Sequence, residues 1–389
     1  MYCFVKTCQE GKTLIEEITQ LGSIIMDEDN ILSNIIKRVE PEKRKKKQHI
    51  LKFNFDLSDK KLYIDVNEEI DSNSSEKYLF IGSADGPNSP QWYVTSSSVS
   101  YHLSETIHRL YDNNLGDKIN ELLSEIIKEF YIIVDDSREK KYRYILDIYK
   151  AGFSNKNINQ MYDEVVKNPN EKNKGKALLK AVTKEFESYL KEKYGTGYDE
   201  IGLYTICIND RPLSQLEEYK EAVISSKKPK PMELKSKKSL PKELICSICF
   251  SKQNVSSDTS KMKIKYYTTN QMIFANQVDK KNYHKNMLLC ENCVKAIQAG
   301  ESFITNNLDI NIGRFRVYII PNFVYNIKLN KNDIYRITKK VKDSFNTVKN
   351  LRAIEELRDN IENLLTESTL ENSLTFEGEE SYFLLNFMF

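Results

Sequence analysis

Long hydrophobic runs are missing from this 389-residue sequence: no apolar stretch reaches the roughly 18 to 20 residues that a membrane-spanning helix needs. The start, Met1-Tyr2-Cys3-Phe4-Val5-Lys6, lacks the charged beginning, apolar middle and small-residue cleavage site of a secretory leader. A cytoplasmic protein with no membrane partner is therefore expected. An excess of charge is missing too. The 58 basic residues against 56 acidic ones leave a formal net charge of +2, so any nucleic-acid binding has to come from local patches rather than from a uniformly basic surface. Catalytic signatures are equally scarce. There is no phosphate-binding Gly loop, no His-Glu-x-x-His and no serine nucleophile between small residues, which argues against an enzyme.

What is present is material for a core. With 40% of residues hydrophobic and 29% charged, the chain suits two or three globular domains rather than wholesale disorder. Its seven cysteines are odd in number and four of them stand in two tight pairs. That is unlike a secreted disulfide framework and points to metal.

The pattern along the chain predicts an α+β protein, with a mixed helical and short-strand N-terminal domain and an inserted four-cysteine, zinc-ribbon-like module. Two amphipathic helical patterns, about 10–22 and 27–38, open an α/β region spanning 1–98. Leu51, Phe53, Phe55 and Leu57, then Leu62, Ile64 and Val66, alternate with polar residues around Ser58-Asp59-Lys60 and read as a β-hairpin. A second pair of short strands is expected at Tyr78–Ile81 and Trp92–Thr95, around a Gly- and Pro-containing loop. Residues 99–224 read as mainly helical, closing with a strand at Ile201–Ile208 and a helix over Pro212–Val223. Composition then shifts to a basic linker, 225–243, with seven Lys and three Pro. A metal-binding module over 244–312 follows. The last region, 313–389, predicts a strand at Phe315–Ile320 stopped by Pro321, a long helix from about 331 to 366, and an apolar end, Phe383–Phe389, that reads as a strand lacking its continuation.

Cys246-Ser247-Ile248-Cys249 and Cys290-Glu291-Asn292-Cys293 are C-x2-C pairs separated by 40 residues. Two-residue spacing turns both sulfurs of a pair toward one ion, and four thiolates leave no coordination position open, so a structural Zn²⁺ is expected rather than a catalytic one. Coincidental core cysteines, an iron–sulfur cluster or a redox dithiol are the alternatives, and His284 is weighed as a replacement ligand. The second pair runs into Val294–Gly300, read as a short helix ending at the Gly.

Three basic clusters offer phosphate contacts. They are Lys43, Arg44, Lys45, Lys46 and Lys47; the linker residues Lys227, Lys228, Lys230, Lys235, Lys237 and Lys238; and Lys261, Lys263 and Lys265 beside Tyr266 and Tyr267. Like-charged blocks also lie solvated in loops without any ligand, and a half-buried hairpin explains the third cluster as well. His102 and His108, six apart, do not share a helical face and read as surface or partly buried helix residues. Asp135-Asp136 could present paired carboxylates to a metal, although a solvated helix end is the commoner explanation.

The order Cys246-x2-Cys249, an insert carrying Ile273-Phe274, Asn286-Met287-Leu288-Leu289-Cys290-x2-Cys293, a helix with Gly300 and Phe303, and Val317-Tyr318-Ile319-Ile320-Pro321 resembles the large subunit of type I-B CRISPR interference complexes. Tyr78–Gly82 and the Gly86-Pro87 loop look similar as well. The resemblance implies a non-enzymatic subunit of an RNA-guided DNA surveillance complex in antiviral defence. Such a subunit binds the 5′ end of a guide RNA, recognises the motif flanking a double-stranded DNA target, contacts the other subunits and helps to recruit a separate nuclease-helicase. Subunits of that family usually continue into a further helical region, so a truncated or short form is expected here, and the recruitment and displaced-strand roles depend on that missing region. A zinc-stabilised metal-dependent nuclease or polymerase-like effector, with Asp135, Asp136 or Asp210 as its carboxylates, is the second functional class. A zinc-ribbon interaction scaffold is the third.

Overall fold

The computed structural model describes residues 13–28, 30–39, 48–82, 91–134, 140–167, 173–229, 244–252, 254–264, 280–312, 315–323, 329–347 and 383–388. They divide into two units, one comprising Met1–Ile35 with Lys227–Phe389 and the other Ile36–Ser226.

The first unit opens with helix α1 (Leu14–Ile25). Its start is a capping box: the Thr13 amide donates to Glu16 Oε2 at 2.6 Å, giving a backbone N–H that has no intrahelical acceptor a partner. Ile18, Leu21 and Ile25 recur at helical spacing and are buried. The second predicted helix, 27–38, shrinks to a single 3-10 turn at Ile31–Asn34. Asparagine side chains explain the change, because Asn34 Oδ1 accepts from the Asp27 amide at 3.0 Å and Asn30 Oδ1 from the Ser33 amide at 3.2 Å, offering the backbone an alternative to the helical ladder.

In the second unit the predicted hairpin forms as β1 (His49–Asp56) and β2 (Lys61–Glu69), paired antiparallel. Phe53, Phe55, Leu62, Ile64 and Val66 are buried while their neighbours face out. A four-residue helix, α2 (Ser74–Lys77), follows. The strand pair expected at Tyr78–Ile81 and Trp92–Thr95 is absent from the described residues. Tyr78, Leu79, Phe80 and Ile81 are all buried in succession, which a two-sided strand with one solvent face does not permit, and Leu79 takes φ +49°. The Lys37 amide bonds the Phe80 carbonyl at 2.8 Å and Thr95 Oγ1 bonds the Tyr78 carbonyl at 2.5 Å, so this coil has its partners.

The helical middle is α3 (Val99–Ser104), α4 (Thr106–Asp112), α5 (Asp117–Phe130), α6 (Ile158–Val166) and α7 (Lys174–Tyr194), with a small hairpin of β3 (Tyr131–Ile133) and β4 (Tyr144–Leu146) inside it. The α7 helix starts on Asn173, whose side chain accepts from the Lys176 amide, and ends on Gly195 at φ +67°. Strand β5 (Ile201–Ile208) pairs parallel with β1, and β6 (Arg211–Pro212) completes a sheet in the order β2-β1-β5-β6. Because β5 is internal, seven of its eight residues are buried, hence its unbroken apolar run. Phe53 stacks on His102 with ring centroids 5.5 Å apart and on Phe186 at 5.7 Å. Helix α8 (Glu217–Lys227) begins five residues after Pro212, since the intervening chain is spent on β6 and a 3-10 turn.

Back in the first unit, β7 (Val255–Ser256) pairs with β8 (Leu289–Cys290), which leads directly into α9 (Glu291–Asn307). The expected helix end at Gly300 is corrected, because α9 runs on for seven residues. Gly300 serves close packing instead: a Cβ there would lie 2.3 Å from the Ile18 carbonyl oxygen of α1. Strand β9 (Asp309–Ile312) and β10 (Phe315–Phe323) form a sheet in which β10 continues through Pro321. Proline is tolerated because β9 pairs only with residues 315–318, so among the described residues the strand has a neighbour on one side alone at Pro321. That neighbour is β11 (Phe383–Met388), the apolar end of the chain. Helix α10 (Lys331–Thr347) lies over this unit's core with Ile334 and Val341 buried. The remainder of the long helix predicted to about 366 lies outside the described residues. Helices and small sheets thus coexist as an α+β arrangement carrying the cysteine module.

Candidate metal centre

The cysteine module is built from two short backbone devices. In the first, the Phe250 amide returns to the Cys246 carbonyl at 3.0 Å and the Cys246 amide bonds the Ser251 carbonyl at 3.0 Å, folding Cys246–Cys249 into a tight turn. Phe250 closes the turn at φ +58°. In the second, Cys290 is the N-cap residue of α9 and Cys293 stands within its first turn. The Ser247 amide donates to the Leu288 carbonyl at 2.7 Å, and Ser247 Oγ accepts from the Leu288 amide at 3.0 Å, tying one device to the other.

All four sulfurs lie within 4.8 Å of one another, and Cys249 Sγ and Cys290 Sγ are 3.6 Å apart. Metal–sulfur bonds of about 2.3 Å in a tetrahedron put sulfurs about 3.8 Å apart. The donor set therefore fits a single ion. Cys246, Cys290 and Cys293 are buried and Cys249 is exposed. The Cys290 amide lies 3.4 Å from Cys246 Sγ, a hydrogen bond that favours thiolate. Ser251, 3.2 Å from Cys249 Sγ, is the chief reason that Cys249 drops to about 6. Burial pushes Cys290 and Cys293 up, and a cation among the sulfurs reverses that effect by pairing with the thiolates. Val255, Met262, Leu288, Leu289, Val294 and Ile297 pack around the cluster and keep water from its inner side. His284 is not in this group.

The basic residues fall in varied places. Lys227 is buried at 7% exposure, a correction to its expected place on an exposed linker, because α8 extends through it and Gln298 Nε2 bonds its carbonyl at 2.9 Å. Lys228 is exposed and Lys261 half-buried. Lys263 turns its ammonium inward, to the Ile35 carbonyl at 3.2 Å and Ser302 Oγ at 3.0 Å. Lys43, Arg44, Lys45, Lys46, Lys47, Lys230, Lys235, Lys237, Lys238 and Lys265 lie outside the described residues, as do Asp135 and Asp136. Asp210, in the turn between β5 and β6, exchanges hydrogen bonds with the Asn54 side chain on β1.

The two histidines of the second unit are interior groups. His102 Nε2 is 3.0 Å from the Val94 carbonyl, and burial lowers the ring to about 4. Burial, with Arg109 alongside, lowers His108 to about 4 as well.

Sequence reading passed over Glu301, which is fully buried on α9 and accepts the Lys263 amide at 2.7 Å and the Ile264 amide at 3.0 Å, pinning the chain that leaves the module. Its signal was a lone acid inside an otherwise apolar helix face. No described helix is long and apolar enough to cross a membrane.

No curated protein and no solved structure matches the chain. Residues 14–225 match the N-terminal domain, and residues 243–389 the central domain, described as those of CRISPR-associated protein TM1802 (cas_TM1802). The two matches meet at the basic segment and leave little of the chain uncovered, so the chain belongs to the TM1802 family of CRISPR-associated proteins.

Proposed function

We propose that the chain is a non-catalytic subunit of an RNA-guided DNA surveillance complex, in the role of the type I-B large subunit. In this reading it works in the cytoplasm, binds the 5′ end of the guide RNA, recognises the motif flanking a double-stranded DNA target and contacts the other subunits. Engagement of a separate nuclease-helicase belongs to the same proposal. The observation that carries it is the four-cysteine cluster at the start of α9, in a chain of a CRISPR-associated family. Four thiolates complete a tetrahedral shell and leave no position for water or substrate, so the bound ion, Zn²⁺ by the softness of its donors, holds structure. The interior placement of His102 and His108 supports a non-catalytic role, because neither ring is exposed to a substrate. The lysine clusters around 43–47 and 228–238, with Lys261, supply point charges that position a phosphate backbone without reading bases.

Reconstitution with guide RNA and partner subunits tests the reading. The chain should be retained on guide RNA, and it should leave target DNA uncut in Mg²⁺ or Mn²⁺. Cleavage that disappears in Asp135→Ala or Asp136→Ala would favour the nuclease class. Assembly with partner proteins but not with guide RNA or DNA would favour the scaffold.

A further inference from the structure

We infer that the outer face of α10 is a docking surface for the phosphate backbone of double-stranded DNA. The inference rests on the nucleic-acid-binding function proposed above and assigns it a surface. Ile334, Thr338 and Val341 are buried and hold the helix against its own unit, with Ile337 partly buried beside them. Helical geometry then turns Arg336, Lys339 and Lys340 outward together, and all three are exposed. Lys331 and Lys342 flank them. Among the described residues, Lys331, Lys339, Lys340 and Lys342 take part in no ion pair or side-chain hydrogen bond.

Cations three and four residues apart destabilise a helix by about 0.2–0.5 kcal/mol per pair unless an anion lies between them. Elsewhere the chain supplies that anion: Lys191 pairs with Glu187 at 2.8 Å, Lys220 with Glu217 at 2.7 Å and Lys295 with Glu291 at 2.9 Å. On α10 the acidic Asp333 is occupied at the helix start, where it exchanges hydrogen bonds with Asn330 at 3.0 Å and lies 3.9 Å from Arg336. Asp343 is exposed on the same face but forms no ion pair with Lys339 or Lys340, so α10 sets five basic residues against two acidic ones and its outer face keeps a positive charge that complements an external polyanion.

Shape narrows the choice among polyanions. Lys331 and Lys342 are about 16 Å apart along the axis, the rise of about five steps of duplex DNA. Single strands are gripped by exposed aromatic platforms. Tyr335 packs edge-on against Phe303 at 5.2 Å, and the outward positions Arg336, Lys339 and Lys340 carry no aromatic ring for a base to stack on. A rigid row of ammonium groups without base-reading side chains suits a duplex backbone, bound without regard to sequence.

The full-length protein, in its assembled complex, can be titrated with a labelled DNA duplex and with a single-stranded RNA of equal length across a salt series. Lys339→Gln with Lys340→Gln should lower the slope of log K against log salt for duplex DNA by up to about 1.8, and Asp343→Lys on the same face should raise it by about 0.9. A misfolded variant cannot mimic the gain. Lys180→Gln with Lys184→Gln on α7, where Glu185 and Glu187 are close in sequence, removes the same charge and should leave the slope unchanged. Unchanged slopes in both α10 variants, an equal loss in the α7 variant, or a loss confined to RNA would overturn the assignment while the proposed function stands. Loss of a protein subunit rather than DNA would identify an acidic protein as the occupant and overturn it too. If the wild-type complex binds neither nucleic acid, the proposed function itself fails.

Discussion

Gly22 of α1 faces Ala296 of α9 so closely that a Cβ on Gly22 would lie 1.7 Å from the Ala296 carbonyl oxygen. Gly300 repeats the relationship one turn along α9, against Ile18. Intrinsic propensity favours Ala over Gly inside a helix by about 1 kcal/mol. Here the clash is with backbone, which cannot swing aside, so overpacking wins. Gly22→Ala should destabilise the protein by about 3 kcal/mol and Gly300→Ala by about 2 kcal/mol, read from denaturant midpoints. A gain in stability from either would mean that the two helices are not in backbone contact.

Purified protein should carry one equivalent of zinc, and a strong chelator should lower its melting temperature, because binding energy at such a site is folding energy. Cys246→Ser or Cys293→Ser should abolish stoichiometric metal. Elemental analysis of wild-type protein showing less than about half an equivalent of zinc per chain would remove the assignment.

Acid should weaken the second unit before its carboxylates titrate. His102 and His108 are held near 4 against an ordinary value of 6.5. Between those limits the unfolded chain binds protons that the folded chain refuses, so stability is fully present above about pH 6.5 and falls as pH drops toward 4. Each ring contributes up to about 3 kcal/mol over that window. His108 sits in a buried setting with its ring 4.6 Å from that of Tyr144, so His108→Leu should remove its share of the acid limb and leave that of His102, without a large cost at pH 8. Urea midpoints measured from pH 8 to pH 4.5 provide the check.

Glu301 carries two backbone amides in a fully buried position. Glu301→Ala strands both donors and should cost about 3 kcal/mol. Glu301→Gln, which keeps an acceptor oxygen, should cost less. Equal stability of both variants and the wild type would show that water reaches those amides.

The local signals in the sequence were strong where one periodicity or one spacing sufficed. Alternation around Phe53 and Ile64 specified the β1–β2 hairpin, helical spacing specified α1 and α5, and two C-x2-C pairs specified the sulfur cluster, because each depends on residues whose geometry is set by near neighbours or by a shared ion. Long-range packing decided the rest. Tyr78–Ile81 has the composition of a strand but is buried along its whole length and pairs with no other strand among the described residues. Gly300 has the mark of a helix end, yet it lies mid-helix because a second backbone passes there. Pro321 has the mark of a strand end, yet it lies within β10, whose second neighbour ends before it. Lys227 looked solvated and is buried, while the outward row on α10 drew no notice in the sequence. Which side of an element meets solvent is a property of what packs against it, and no single segment contains that information.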